Sequence, residues 1–280
     1  MTFKRILCPV DFSPHSEHAL GHAAMVARWY GSEVTILHAR SEFEDPEQAI
    51  AELTRMTDSI GRTDVPIRTR VQSGSAVEAV LGAARSLPAD LIVLGTHGRG
   101  GWDHLVLGSV MEKVLRKASC PVLTVPPPVS GPTHAAPLGF ERIVAALDFS
   151  DWSMSALRFA ASLAQESGAR LIAVHVLDGL HTENLTAYPD FDLARFRRHL
   201  EDDARSRVRE AIPSEVRPGA EEVVAIGRPH EEIVRLARER DAHLIVIGVH
   251  GRTALDLMMV GSTTHQVIRT ASCPVLTLRG

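Results

Sequence analysis

A chain of 280 residues is long enough for two domains of ordinary size, each able to bury its own core. Hydrophobic residues at 45%, charged residues at 23% and a mean hydropathy near zero describe a globular protein, neither disordered nor membrane-embedded. A formal charge of −4 argues against a general binder of nucleic acid or of anionic membranes, which would carry a basic surplus.

From the N-terminus, the apolar β-branched run Ile6 to Val10 predicts a strand that ends at Asp11. Ser13-Pro14 then supplies an N-cap and a first helical position. Ala19, Leu20, Ala23, Ala24 and Ala27 recur at helical period, and these small residues let the helix sit close to a sheet. Gly31 ends that helix, as a glycine just past a C-terminus does. A second strand is expected at Val34 to Ala39, a helix from Pro46 to Ile60 and a third strand at Ile67 to Val71. A helix from Ala76 to Ser86, a fourth strand at Leu91 to Leu94, a helix from Ser109 to Lys117 and a fifth strand at Val122 to Val125 complete the series. The run from Pro126 to Gly139 holds five prolines, which remove donors and fix φ, so it reads as an extended, semi-stiff linker.

Beyond the linker the chain repeats itself. Phe3 to Ser13 aligns with Phe140 to Ser150, and Ala118-Ser-Cys-Pro-Val-Leu-Thr124 recurs letter for letter as Ala271 to Thr277. The divisions are therefore 1–126, a linker at 127–139, and 140–280. Ala156, Leu157, Ala160, Ala161 and Ala164 repeat the helical stripe, closed by Gly168. Strands are expected at Leu171 to Val176, Glu222 to Ile226, Leu244 to Ile247 and Val275 to Leu278, with helices at His230 to Glu239 and Ser262 to Thr270. The repeat offset grows from 137 to 153 between the second and third strands. That extra length falls at Leu193 to Ile212, whose mixed charges read as a solvated helix face. Apolar strands between helices indicate a sheet covered on both faces. The fold class is α/β: two tandem doubly wound domains, each a five-stranded parallel sheet of Rossmann-like type. Ligands of such sheets sit beyond the strands' carboxyl ends, at the point where strand order reverses.

One motif stands at that edge in both copies. Gly95-Thr-His-Gly98, nine residues, then Gly108-Ser109 is matched by Gly248-Val-His-Gly251, nine residues, then Gly261-Ser262. Glycine admits close backbone approach and positive φ, and a helix start turns unpaired N–H groups toward an anion, so both read as phosphate cradles. Ser109 and Ser262 are expected to cap their helices and donate to phosphate. Arg99 and Arg252 either supply positive charge to it or are solvated. Asp11 and Asp148, at the ends of the first strands, either accept hydrogen bonds from a nucleoside or cap the following helix.

Other residues draw plainer readings. His97 and His250 inside the cradles are packed turn residues, and His15, His18 and His22 share one helix face as surface residues rather than metal ligands. Cys8, Cys120 and Cys273 read as buried inert thiols of a reducing compartment, and no leader or spanning segment is seen, so the expected location is the cytoplasm. A phosphoryl-transfer enzyme would want a GxxxxGK[ST] loop, an esterase a GxSxG turn and a dinucleotide oxidoreductase a GxGxxG after the first strand; the sequence has none of them.

With those motifs in place, the chain resembles the universal stress protein family in its tandem, ATP-binding form. The resemblance covers both halves and implies an adenine nucleotide alpha-hydrolase-like fold with ATP as the ligand of each half, Mg2+ being the cation that would accompany it. It implies that Asp11 and Asp148 contact the nucleoside, that Ala39 and Val176 line the adenine pocket, and that Val110 and Thr263 extend the phosphate-binding turn. Pro9 and Val10 give way to Ala146 and Leu147, so the adenine sides should differ in shape. The resemblance further implies fifth strands that associate within the chain, scope for a homodimer, and a regulatory protein partner. It implies a stress-response module with little turnover; a slow ATP-hydrolysing enzyme of the same fold is the alternative.

Overall fold

The computed structural model describes residues 3–60, 65–97, 108–128, 139–178, 192–251 and 260–279. In the first half these form β1 (Arg5–Val10), α1 (Pro14–Tyr30), β2 (Glu33–Arg40), α2 (Pro46–Ser59), β3 (Ile67–Ser73), α3 (Ala76–Ser86), β4 (Leu91–Gly95), α4 (Ser109–Lys117) and β5 (Val122–Val125). The second half repeats the series as β6 (Arg142–Leu147), α5 (Asp151–Ser167), β7 (Arg170–Leu177), α6 (Leu193–Ala211), β8 (Glu221–Ile226), α7 (Pro229–Glu239), β9 (Leu244–Gly248), α8 (Ser262–Thr270) and β10 (Val275–Leu278).

All ten strands belong to one sheet, in the order β3-β2-β1-β4-β5-β10-β9-β6-β7-β8. Pairing is parallel within each half and antiparallel only where β5 meets β10, with Leu123 opposite Leu276. The expected association of the fifth strands is thus the centre of the molecule. Strand alternation divides the core into two layers. Ile6, Cys8 and Val10 of β1 face the layer that includes Leu20 of α1 and Leu53 of α2, while Leu7 faces the layer that includes Val80 of α3 and Val114 of α4. Burial on both faces is why the strands read as continuous apolar runs.

Helix boundaries follow local chemistry. Ser13 and Ser150 cap α1 and α5 by accepting from the N–H of Ser16 and Ser153. Gly31 and Gly168 end those helices at φ 61° and 70°, a region a Cβ disfavours. The expected mixed-charge helix is α6: Ala204 and Val208 are buried, and most of its charged positions are exposed. No helix among the described residues is long and apolar enough to cross a membrane.

The seam between halves is tied symmetrically. Thr124 Oγ1 donates to the Val275 carbonyl and Thr277 Oγ1 to the Val122 carbonyl, each at 3.1 Å and both fully buried. On one face Phe3 meets Phe159 at 5.6 Å between ring centroids and Trp29 meets Phe140 at 5.9 Å. On the other, Arg279 donates to the Leu115 and Arg116 carbonyls at the C-terminal end of α4.

Candidate functional site

Strand order reverses at the β1–β4 pair in the first half and at β6–β9 in the second, so the residues following those strands share one edge. Asp11 follows β1. Its Oδ1 accepts from the Ser13 N–H at 3.1 Å and the Ser13 hydroxyl at 2.5 Å, and Asp148 repeats this with Ser150 at 3.0 and 2.5 Å. The helix cap is therefore Ser13 or Ser150, and the aspartate holds the cap in place. In both halves the two bonds fall on Oδ1.

The next residue is a phenylalanine with positive φ in both halves, Phe12 at 61° and Phe149 at 63°. For a bulky side chain this is a strained backbone region, so something must hold it there. A buried histidine from the neighbouring strand lies against each ring, His38 at 4.1 Å from Phe12 and His175 at 4.6 Å from Phe149. The Nδ1 of each donates to the last carbonyl of the first strand, Val10 at 2.9 Å and Leu147 at 2.8 Å. Sequence reasoning missed these Phe–His pairs, although both residues recur at the same offset of 137, which is the signal that could have found them. Around them the halves diverge. His38 Nε2 lies 3.0 Å from Glu44 Oε1, whereas the Arg207 guanidinium of α6 stands 4.1 Å over the Phe149 ring.

The glycines of the duplicated motif do not all act as expected. Among the described ones, Gly95, Gly108, Gly248, Gly251 and Gly261, none has positive φ. Gly95 and Gly248 are small because a helix leans on them: a Cβ would stand 3.2 Å from the His15 carbonyl oxygen of α1, or 2.9 Å from the Trp152 Cβ of α5. Gly251 faces the carboxylate, a Cβ there falling 2.8 Å from Asp148 Oδ2. The bend after β9 and the aspartate after β6 are thus brought together. Gly98, Arg99 and Arg252 lie outside the described residues, and the structure makes no statement about them.

Each segment is closed at its base by a backbone bond, Gly108 N–H to the Thr96 carbonyl at 3.0 Å and Gly261 N–H to the Val249 carbonyl at 2.9 Å. The N-caps of α4 and α8 are Gly108 and Gly261, which have no side chain to offer as a cap. Ser109 and Ser262, expected as caps, are instead the first helical residues, where a hydroxyl cannot reach back to the N–H groups of its own first turn. Val110 and Thr263 follow on the same turn. The first N–H groups of both helices have no intrahelical acceptor. Ala39 and Val176 sit near the carboxyl ends of β2 and β7, packed with the layer that includes α3 and α7.

His97 and His250 are buried turn residues, as expected. The His97 ring lies 6.0 Å from that of His15, the His250 ring 5.2 Å from that of Trp152, and Thr96 Oγ1 is 2.9 Å from His97 Nδ1. The surface reading of His22 is overturned: it is only 5% exposed, and burial, with His18 beside it, pushes its pKa down to about 4. Phe159 occupies the equivalent place in the second half, where it packs on Phe3 across the seam. Burial also raises the Cys8 and Cys273 thiols to about 12 and Cys120 to about 11, which keeps them from the reactive thiolate form. Among the described residues no group of three or more His, Cys, Asp or Glu could hold a metal ion.

Compared with known proteins, the family model described as the universal stress protein family matches residues 2–126 and 139–279. Universal stress protein Rv2005c of Mycobacterium tuberculosis is 30% identical over 197 residues, covering 68% of this chain and 62% of that protein, so the match spans less than two thirds of the relative's length. A universal stress protein of Mycolicibacterium smegmatis is 25% identical over 297 residues, covering 98% of this chain and 96% of the relative. The crystal structure of a universal stress protein from Archaeoglobus fulgidus shares the fold, with a TM-score of 0.68 at 22% identity over 98% of each chain.

Proposed function

The chain belongs to the universal stress protein family, and from that premise we propose that it binds ATP at one site per half and acts as a nucleotide-dependent stress-response module in the cytoplasm, with little turnover. The observation that carries the reading is the apposition in the second half of Asp148 Oδ2 and Gly251, beside a helix whose N-cap is the glycine Gly261. A carboxylate at this place suits ribose hydroxyls as donors. Unpaired N–H groups at the positive end of α4 or α8 suit phosphate oxygens. The residues present therefore fit an adenine nucleotide. Asp11 or Asp148 would meet the nucleoside and Ala39 or Val176 the base. Gly108 to Val110, or Gly261 to Thr263, would meet the phosphates, with Gly98, Arg99 and Arg252 completing the cradles and Mg2+ carried on the nucleotide. Low turnover follows from the chemistry available, since no P-loop lysine occurs in the sequence.

Mass spectrometry of small molecules released by denaturing freshly purified protein tests this, paired with calorimetric titration of ATP into the stripped protein. The expected result is ATP approaching two per chain, reduced to about one by Asp11→Ala or by Asp148→Ala and abolished when both are changed. Neither co-purifying nucleotide nor heat on titration would end the proposal.

A further inference from the structure

Gln72 lies near the carboxyl end of β3, paired in register with Ala39 of β2. Ile67 and Val71 of β3 pack against the layer that includes α1 and α2, so Gln72, the residue after Val71, points to the opposite face of the sheet, where Ala39 packs. Its Oε1 is buried and has no hydrogen-bond partner among the described residues. A buried amide oxygen that has lost water and gained no donor is unfavourable, and in a native fold it calls for an explanation. The equivalent pair in the second half is Val176 and Ala225, both buried and apolar. The amide is thus a feature of the first half only.

We propose that Gln72 is a specificity-determining residue of the first half, its side-chain amide hydrogen-bonding the edge of an adenine lodged against Ala39. The inference rests on reading the two sites as adenine-nucleotide sites. A primary amide offers an acceptor and a donor side by side, and adenine offers the complement, its 6-amino group next to a ring nitrogen. Binding supplies the missing donor to Oε1, so the unsatisfied group of the empty protein becomes a source of selectivity in the filled one. The second site, with Val176 and Ala225, holds the base by apolar contact and is indifferent to the 6-amino group. The two halves are then a discriminating site and a tolerant one.

The test compares ATP with purine riboside triphosphate, which lacks the 6-amino group, by calorimetry on the full chain. The second site is silenced by Asp148→Ala, or by Asp148→Asn should the alanine variant fold poorly. The first site should prefer ATP by about tenfold. Adding Gln72→Leu should collapse that ratio to nearly one. With Asp11→Ala the second site alone should show a ratio near one, and Ala225→Gln should raise it. Nucleotide-free Gln72→Leu protein should unfold at the same or a higher urea concentration, whereas a structural role for the amide predicts a lower one. Preference for ATP that survives Gln72→Leu overturns this inference and leaves nucleotide binding standing. Failure of the unaltered protein to bind either nucleotide overturns the reading beneath it.

Discussion

Superposed in sequence, the two halves agree at Asp11 and Asp148, at the strained Phe12 and Phe149, at His38 and His175 and at the bend glycines, and they disagree at several side chains around these. His15 becomes Trp152, His22 becomes Phe159 and Gln72 becomes Ala225; Glu44 stands beside the first Phe–His pair and Arg207 over the second. The shared residues are those whose work is fixed by backbone geometry: a carboxylate that holds a cap, a ring that holds a positive φ, a glycine where a helix leans. The differing ones set polarity and charge. Duplication has left one frame carrying two environments, and each difference can be probed by exchanging residues between the halves.

The largest expected effect comes from His22. Its pKa falls from 6.5 to about 4 on folding, so the unfolded chain takes up a proton that the folded one refuses. Above pH 6.5 both forms are neutral and stability is at its full value. Stability then declines as pH falls toward about 4, where the folded form also protonates and the loss levels off near 3 kcal/mol. Carboxylates add their own acid dependence, so the diagnostic quantity is a difference. His22→Phe, which copies Phe159, should remove about 3 kcal/mol of the decline between those pH values in urea unfolding. Parallel curves for the two proteins would show that the fold tolerates a charged imidazole at this position.

Next in size is the exchange of bend glycines for alanine. At Gly248 a Cβ would stand 2.9 Å from the Trp152 Cβ and 3.0 Å from its carbonyl carbon, atoms that α5 cannot readily move. At Gly95 the nearest atoms are carbonyl oxygens at 3.2 and 3.3 Å. Gly248→Ala should therefore cost about 2 kcal/mol and Gly95→Ala about 1 kcal/mol, by urea midpoint. Equal costs would mean the two helix contacts are the same despite their different side chains.

How much of this could be read from the letters differs by residue. Strands buried on both faces announce themselves as apolar runs, and Pro14, Gly31, Pro46 and Gly168 punctuate the helices, so most elements start and stop within a residue or two of expectation. The motif spacing points to the sheet edge where strand order reverses, but spacing does not say what each glycine faces. Gly95 and Gly248 answer to a helix far away in sequence, and Gly251 to a carboxylate. Ser109 and Ser262 fell one position inside their helices, a shift local pattern does not resolve. His22 looks like part of a polar helix face, and nothing in the local periodicity marks it as buried. Phe159 at the matching position was the available clue.

The seam itself is a smaller test. Thr124 and Thr277 each donate to a carbonyl across the β5–β10 pair, in the same geometry and fully buried. Each hydroxyl should contribute about 1 kcal/mol, and its loss leaves a carbonyl that still has its place in the ladder. Thr124→Val and Thr277→Val should cost alike, and the double variant should cost their sum, since the two bonds share no partner. Unequal costs would mean that the two bonds are not equivalent despite their matching geometry.

Smallest is the contribution of Arg207. Its guanidinium lies over the face of Phe149, where the ring's quadrupole attracts a cation, but the side chain is exposed and water competes for it. A loss of about 0.5 kcal/mol is expected for Arg207→Met, which keeps an apolar stem over the ring and removes only the charge. Arg207→Lys retains a cation and should lose less. If Met and Lys cost the same, the contact is packing and not charge. The distinction bears on the site because Phe149 holds its positive φ one residue from Asp148, so whatever steadies the ring steadies the carboxylate. The first half meets the same need with His38 and Glu44, so Glu44→Gln should loosen Phe12 while leaving Phe149 and Arg207 untouched, with the ring resonances of each half reporting separately.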